Sequence, residues 1–271
     1  MHFYRAANWP KALLIVSMMT FIVASCTPTT EEPAQVDIPP SSTFEMENFN
    51  AWPSDNGNRG GRQETKIAYG LSALTVGIWQ AFTGLTMVLP VTAFKAAISQ
   101  TPTYNEDRGA WHWSYTVGDT ASATQLICDL YGTLSNEQIN WEMNLTKTDA
   151  FSEFVWYTGV SRLDETSGSW TVYRDPEGTP RSFLQIDWDR DTTAGTGTIR
   201  YTDIDDTDGG DGNYIEAGRV DGATYDSYFT ISGNDLLEIE WNKTTKEGRV
   251  RRNNGDWSCW DTDLEDIDCT E

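Results

Sequence analysis

The chain has 271 residues, of which 41 are acidic and 19 are basic, so its formal net charge is −22 at pH 7. A field of this sign repels phosphate backbones and anionic headgroups, which excludes nucleic acid as a partner. The sequence contains two histidines, one of them His2. So few histidines argue against catalysis by a histidine base and against a histidine-rich metal centre.

The first 25 residues have the features of a secretory signal. Arg5 and Lys11 give a positive start, residues 12–23 form an uncharged apolar run, and small residues precede Cys26. The stretch Val-Ala-Ser-Cys at 23–26 resembles the lipobox of bacterial lipoproteins, which implies cleavage before Cys26 and acylation of its thiol. An ordinary cleaved signal with a chance cysteine is one alternative. A membrane anchor is another, but the run is too short to cross a hydrocarbon core of about 30 Å.

Residues 26–61 are predicted to form a flexible tether, because prolines, acids and small polar residues outnumber apolar ones. By resemblance to enterobacterial lipoproteins, Thr27 after the acylated cysteine favours the outer membrane of the bacterial envelope. Residues 1–25 hold two basic residues and no acid, so the mature chain has 17 basic and 41 acidic residues, a net charge of −24. We therefore expect attachment to the membrane through the lipid anchor at Cys26, not through a basic patch.

The longest uncharged stretch, residues 67–94, is predicted to contain a buried helix over 67–88. Glycines at 70, 77 and 84 indicate close backbone approach, and Pro90 should end or kink the helix before a second short one over 94–99. A transmembrane helix is the alternative, since the length would suffice. Glycines and hydroxyl side chains lower its hydropathy, which favours burial in the domain. The predicted core-facing stripe consists of Ile67, Leu71, Leu74, Ile78, Ala81, Leu85 and Val88.

From Trp111 onward the apolar period changes to two, which predicts antiparallel strands with one wet face. The triplets Ile139–Trp141, Ile186–Trp188 and Ile239–Trp241 each place isoleucine and tryptophan on one face. About 11 or 12 strands joined by short polar turns predict a meander long enough to curl. The predicted fold class is α+β, mostly antiparallel β: a curled meander or half-barrel with an N-terminal hydrophobic helix, in one domain over residues 62–271.

This order of elements resembles the half-barrel of periplasmic lipoprotein carriers and mycobacterial lipid-binding lipoproteins. The acidic, aromatic, strand-rich mature part is also similar to envelope lipoproteins of no assigned activity. If Trp141, Trp188 and Trp241 point inward, they line a core or a lipid-sized cavity. We therefore expect a non-enzymatic envelope lipoprotein that binds a hydrophobic ligand or acts as a scaffold at the outer membrane.

The alternative is a surface glycan-binding lipoprotein that stacks sugar rings on exposed aromatic side chains. Its candidate platform consists of Trp156, Tyr157, Trp257 and Trp260. Ordinary core packing explains tryptophans in a large β protein equally well.

The cysteines and charged clusters give further expectations. In an oxidising envelope Cys259 and Cys269 are predicted to form a disulfide, while Cys128 lies in an apolar context and is predicted to be a buried free thiol. The arginines of the last predicted hairpin, Arg249 and Arg251, are expected to face Glu238 and Glu240 across it.

No catalytic residue, metal or cofactor is predicted. His112 lies between two tryptophans of a strand, where a surface or hydrogen-bonded role is commoner than catalysis. The acidic run Asp203–Glu216 has Thr207 and Gly209 at two ligand positions of the calcium-binding EF-hand pattern, so we expect a solvated loop there, with an incidental calcium site as the alternative.

Overall fold

The computed structural model describes residues 33–43, 66–117, 125–207 and 209–269, with the backbone alone for 78–90. The predicted signal peptide and Cys26 lie outside the described residues. One helix, α1 (Ile67–Ile98), and a turn of 3₁₀ helix at Ser41–Thr43 precede the sheet. The strands are β1 (Thr103–Asn105), β2 (Ala110–Val117), β3 (Leu126–Ser135), β4 (Gln138–Lys147), β5 (Phe151–Arg162), β6 (Ser167–Arg174), β7 (Arg181–Asp191), β8 (Thr196–Asp203), β9 (Tyr214–Val220), β10 (Ser227–Ser232), β11 (Leu236–Trp241), β12 (Gly248–Arg252), β13 (Ser258–Trp260) and β14 (Asp266–Ile267).

All 14 strands of the described chain form a single open sheet in which each strand pairs with the next. The strand pairs of the described chain are antiparallel, for example β2 with β3 and β13 with β14. The predicted mostly antiparallel β fold is therefore confirmed. The sequence pattern missed the two edge strands, β1 and β14, which have three and two residues and are too short to show a period of two.

The alternation predicted from the Ile-x-Trp triplets is present in the sheet. Ile139 and Trp141 are buried while Asn140 between them is exposed, and Ile186 and Trp188 flank the exposed Asp187 in the same way. Side chains of one face, the inner face, pack with α1 into one hydrophobic core. The other face, the outer face, carries most of the charged pairs.

A row of alternating tryptophan and glycine crosses the inner face from β2 to β6. Trp111 pairs with Gly132, Gly132 with Trp141, Trp141 with Gly159, and Gly159 with Trp170. A Cβ at Gly159 would overlap the Trp170 ring, so each large ring occupies the space that its glycine neighbour leaves open. The same pairing recurs at Gly168 with Trp188 and at Gly248 with Trp241 and Trp260.

Helix α1 continues through Pro90 to Ile98, so the predicted second helix over 94–99 is not a separate element. A proline inside a helix costs one backbone hydrogen bond. Burial on its C-terminal side offsets this cost, because Val91, Phe94 and Ala97 are all in the core. Among the described residues no helix has the length and hydropathy needed to cross a membrane.

The predicted buried stripe of α1 is wrong for its first turns. Ile67 and Leu74 are 71% and 64% exposed, whereas Ser72 and Val76 are buried. Gly77 has no atom within 4 Å of the position that a Cβ would take, so it does not serve close packing. Both sides of this helix are uncharged, and periodicity alone does not distinguish two apolar faces.

Contacts at the two ends of α1 fix its orientation. The Asp266 carboxylate on β14 accepts hydrogen bonds from the backbone N–H groups of Ile67 and Ala68 at 2.9 and 3.0 Å. A carboxylate at this end of a helix is favourable because the free N–H groups there carry partial positive charge. At the other end, the Tyr115 hydroxyl of β2 donates to the Ala93 carbonyl. The helix thus contacts strands near both edges of the sheet.

Part of the predicted tether is packed against the sheet. Val36 and Thr43 are buried. The Trp111 indole N–H donates to the Ala34 carbonyl at 3.0 Å, and the Trp170 indole N–H donates to the Thr43 hydroxyl at 3.3 Å. A compact unit that begins at Ala34 is consistent with these contacts. The predicted flexible segment, residues 26–61, is therefore interrupted because residues 34–43 satisfy buried indole donors and add apolar contacts.

Candidate functional site

The three tryptophans predicted to bind a ligand all lie on the inner face, but on separate strands. Trp141 is on β4, Trp188 on β7 and Trp241 on β11, each at most 5% exposed. Neighbouring strands are about 4.8 Å apart, so the first two are separated by about 14 Å and the last two by about 19 Å of sheet. They do not converge on one point. The Trp141 indole N–H donates to the Ser161 hydroxyl at 2.9 Å, which is an internal core contact.

Trp141 borders a cavity of about 350 Å³, and Trp188 borders a second one of about 390 Å³. The cavity at Trp188 is lined by residues 188–192 of β7 and its turn, 195–199 leading into β8, and 217, 219 and 221. Ser42 and Thr43 from the packed N-terminal segment complete the lining. A volume of this size falls in the lower part of the range for small-molecule sites, about 300 to 1,000 Å³.

The indole N–H of Trp188 is the unusual group of this cavity. The atom is buried, and it has no hydrogen-bond partner among the described residues. The ring is held in place by Gly168 on β6, where an added Cβ would come within 2.9 Å of the indole carbon bonded to that nitrogen. A buried donor is normally paired, and leaving one unpaired costs about 1 to 3 kcal/mol.

The charges around the cavity are mostly paired already. Arg190 donates to the Glu165 carbonyl at 2.6 Å and pairs with its carboxylate at 2.9 Å. Arg219 pairs with Asp221 at 2.5 Å. The guanidiniums therefore offer hydrogen-bond donors without an excess of positive charge. Such a lining suits a neutral ligand rich in oxygen more than an anion.

The lining contains no histidine or cysteine, and in the described part of the chain no group of three potential ligand side chains could hold a metal ion. The hydroxyl groups at the cavity come from Ser42, Thr43, Thr192, Thr196 and Thr198, and its carboxylates come from Asp189, Asp191 and Asp221. This lining offers hydrogen-bond donors and acceptors to a bound ligand.

The sequence expectations for other residues can be placed as well. Cys259 and Cys269 form the predicted disulfide, with Cα atoms 5.3 Å apart, and Cys128 is the predicted buried free thiol. Burial raises the pKa of Cys128 to about 11. His112 lies on the outer face, where its Nε2 is 2.8 Å from an oxygen of Asp129 and its ring stacks on Tyr131.

One carboxylate of the acidic loop is committed to contacts within the chain. Asp205 is 3% exposed and contacts Arg174, and it accepts a hydrogen bond from the Thr207 backbone N–H at 3.0 Å. A carboxylate committed to a guanidinium and a backbone donor has little capacity left for a cation. The loop instead joins β8 and β9 to the β6–β7 hairpin.

The alternative aromatic platform is not formed as predicted. Tyr157 and Trp260 are buried at 0% and 1% exposure, and only Trp156 and Trp257 are partly exposed. The bulge in β5 explains the error for Tyr157, because it changes which residues of the strand point inward.

The cavity was not predicted from the sequence, because Ser42 and Thr43 were assigned to the tether and the Trp–Gly pairs were not recognised. The pairs had a visible signal, a glycine in the strand next to each tryptophan. The cavity itself had no such signal in the sequence.

Compared with models of known protein families, with curated proteins and with solved structures, the chain matches none.

Proposed function

We propose that this protein is a lipid-anchored protein of the bacterial cell envelope that binds a neutral, hydroxyl-rich ligand, such as a saccharide unit, and catalyses no reaction. The observation that carries the proposal is the cavity at Trp188, whose walls mix hydroxyls, paired guanidiniums and an aromatic ring. Sugars present donors, acceptors and an apolar ring face together, and this lining complements all three.

A hydrophobic ligand has less support from the described residues. Trp113, Trp170, Trp241 and Trp260 on the inner face are each at most 2% exposed, so side chains already fill the space where an acyl chain would lie. Charge argues against anionic ligands, because the mature chain carries a net charge of −24, from 17 basic and 41 acidic residues. The packing of the inner face and the net charge together therefore favour a neutral polar ligand.

A half-barrel shape for the sheet is part of the same proposal, and two lengths support it. Strands β2 and β14 are twelve strand spacings apart, about 58 Å along the sheet. Helix α1 contacts β14 at Ala68 and β2 at Ala93, positions about 38 Å apart along a helix. A sheet that is longer than the helix joining its two sides has to bow around that helix.

Acylation is tested on the full-length protein in a bacterial host. We expect intact-mass analysis to find the mature chain starting at an acylated Cys26, and Cys26→Ala to abolish membrane retention. Cleavage elsewhere without a lipid adduct would remove the anchor from the proposal.

Ligand binding is tested on the mature chain from residue 27 by titration with neutral mono- and disaccharides, with a fatty acid for comparison. Trp188→Phe replaces the indole by a smaller aromatic ring without an N–H donor, and should weaken saccharide binding about tenfold. Trp141→Phe is the matched control, because its N–H is satisfied inside the core, and it should leave the affinity unchanged. Fatty-acid binding without saccharide binding would favour the hydrophobic-ligand function instead. Equal effects of both variants would show that the cavity is not the site.

A further inference from the structure

The first three turns of α1 expose apolar side chains on the face that points away from the sheet. Ile67 and Leu74 are 71% and 64% exposed, and Leu71 between them is 39% exposed. These positions, spaced by four and three residues, lie on one side of a helix. No charged residue occurs between Ile67 and Phe94. We call the three side chains the α1 patch.

The α1 patch cannot turn into the core, because the opposite side of the helix already occupies it. Ala68, Ser72 and Val76 are buried, and the Tyr69 ring packs edge-on against Trp260 with centroids 6.0 Å apart. The Asp266 carboxylate also accepts hydrogen bonds from two backbone N–H groups of the first turn, which fixes the position of this end of the helix. The exposure of the patch is therefore built into the packing of the helix.

The chain between the proposed anchor and the domain is short. Among the described residues, Ala34 is the first with a hydrogen bond to the sheet, from the Trp111 indole N–H to its carbonyl. It follows Cys26 by eight residues, which span at most about 28 Å when fully extended. An acylated Cys26 would thus keep the domain next to the bilayer.

We propose that the α1 patch rests in the interfacial layer of the bilayer that holds the acyl anchor. The proposal depends on the acylation of Cys26 proposed above. An uncharged helix face with exposed Ile and Leu side chains gains free energy by entering the boundary between headgroups and acyl chains. An uncharged contact also suits a chain whose net charge of −24 gives it no attraction to anionic headgroups. The same charge opposes pairing of two copies through this face.

The test uses the full-length acylated protein, reconstituted in phosphatidylcholine vesicles with or without brominated acyl chains. An environment-sensitive fluorophore is attached at Leu71→Cys, with Leu74→Cys as a second position. Ile127→Cys is the matched control, because Ile127 is also 39% exposed but lies on the outer face of the sheet. The native cysteines do not interfere, since Cys128 is buried and two others form the disulfide.

We expect brominated lipid to quench the fluorophore at positions 71 and 74 several-fold more strongly than at position 127. Equal quenching at the three positions would overturn the proposal. So would a fluorophore at 71 and 74 that is shielded equally in both lipids, which would mean that another part of the chain covers the patch. Dimers of the unacylated chain that dissociate on Leu74→Asp would identify a second copy as the occupant. A protein that does not reconstitute, and whose mass shows no lipid, would instead refute the acylation.

Discussion

The inner and outer faces of the sheet hold their aromatic side chains by different means. On the inner face, Trp170 lies over Gly159 and contacts Phe94 and Tyr157 with ring centroids 5.5 and 5.8 Å apart. On the outer face, Trp257 is only partly buried and has the guanidinium of Arg249 4.2 Å from its ring. The inner rings are held by shape and buried area, whereas the outer rings are held by charge.

This difference bears on how an acidic chain can form so wide a sheet. Outer-face carboxylates pair with arginines on the next strand, as Glu240 does with Arg249 at 2.6 Å and Glu238 with Arg251 at 2.6 Å. The registers place these residues directly opposite each other. Repulsion within the sheet is thereby reduced, and the remaining negative charge lies mostly in turns and loops. Substitutions on the inner face are therefore expected to lower the free energy of unfolding strongly, and substitutions on the outer face only slightly.

The largest effect is expected for Trp170→Ala. Trp170 is fully buried, and its removal leaves a cavity that the surrounding rings cannot close, so the free energy of unfolding should fall by about 3 to 5 kcal/mol. Trp257→Ala removes an equally large ring from the outer face and should cost about 1 kcal/mol. Urea denaturation followed by far-ultraviolet circular dichroism measures both. Equal losses of the free energy of unfolding would contradict the conclusion that buried area holds the inner-face rings while charge holds the outer-face rings.

A smaller effect is expected for Gly159→Ala. The added methyl group would overlap the Trp170 ring and the Ser169 carbonyl, and we expect a loss of about 1 to 3 kcal/mol. Gly77→Ala is the control, since its Cβ would enter open space on the exposed side of α1. Alanine is the better helix former, so this variant should gain about 0.5 to 1 kcal/mol. Destabilisation by Gly77→Ala would mean that the helix is covered at this point.

Most of the sheet could be predicted from the sequence, because burial of one face imposes a period of two on every strand. The predicted facing of Arg249 with Glu240 and the Cys259–Cys269 disulfide followed from local spacing, and both are present. Helix α1 was harder. With uncharged side chains all around it, its rotation is set by Tyr69 against Trp260 and by the Asp266 cap, contacts across about 190 residues of chain that no local pattern encodes.

The candidate site was only partly predictable. Trp188 was named because of its triplet, and the structure places it at the cavity. Nothing in the triplet distinguishes it from Trp141, whose indole N–H is paired with Ser161. The two tryptophans differ because strand β5, next to Trp141, offers the Ser161 hydroxyl. They differ also because Ser42 and Thr43 line the cavity at Trp188, and these two residues come from a segment whose composition resembles a linker.

On the outer face, Arg249→Ala tests how much charge contributes. Its guanidinium pairs with Glu240 and lies 4.9 Å from the Tyr225 ring as well as near Trp257. A partly exposed pair of this kind contributes about 0.2 to 1 kcal/mol. A double-mutant cycle with Glu240→Gln should return a coupling free energy in that range, and it should shrink in 1 M salt. A coupling that salt leaves unchanged would assign the effect to ring stacking instead.

The smallest expected effect is a pH dependence from the inner face. Burial raises the pKa of Cys128 from its ordinary value to about 11, so the folded protein keeps the thiol proton at a pH where the unfolded chain has released it. More protons are then bound in the folded state, and stability falls as the pH rises through this window. Below pH 9 the contribution is fully present. Cys128→Val keeps the side-chain volume and should give a flatter decline of the free energy of unfolding between pH 9 and 11 in the same denaturation assay.

Alkylation supplies a second measurement, since the thiolate is the reactive form. At pH 8 iodoacetamide should label Cys128 rapidly in urea and very slowly in the folded protein. Rapid labelling of the folded protein would place this side chain in contact with water and contradict the dry, neutral inner face that the comparison rests on.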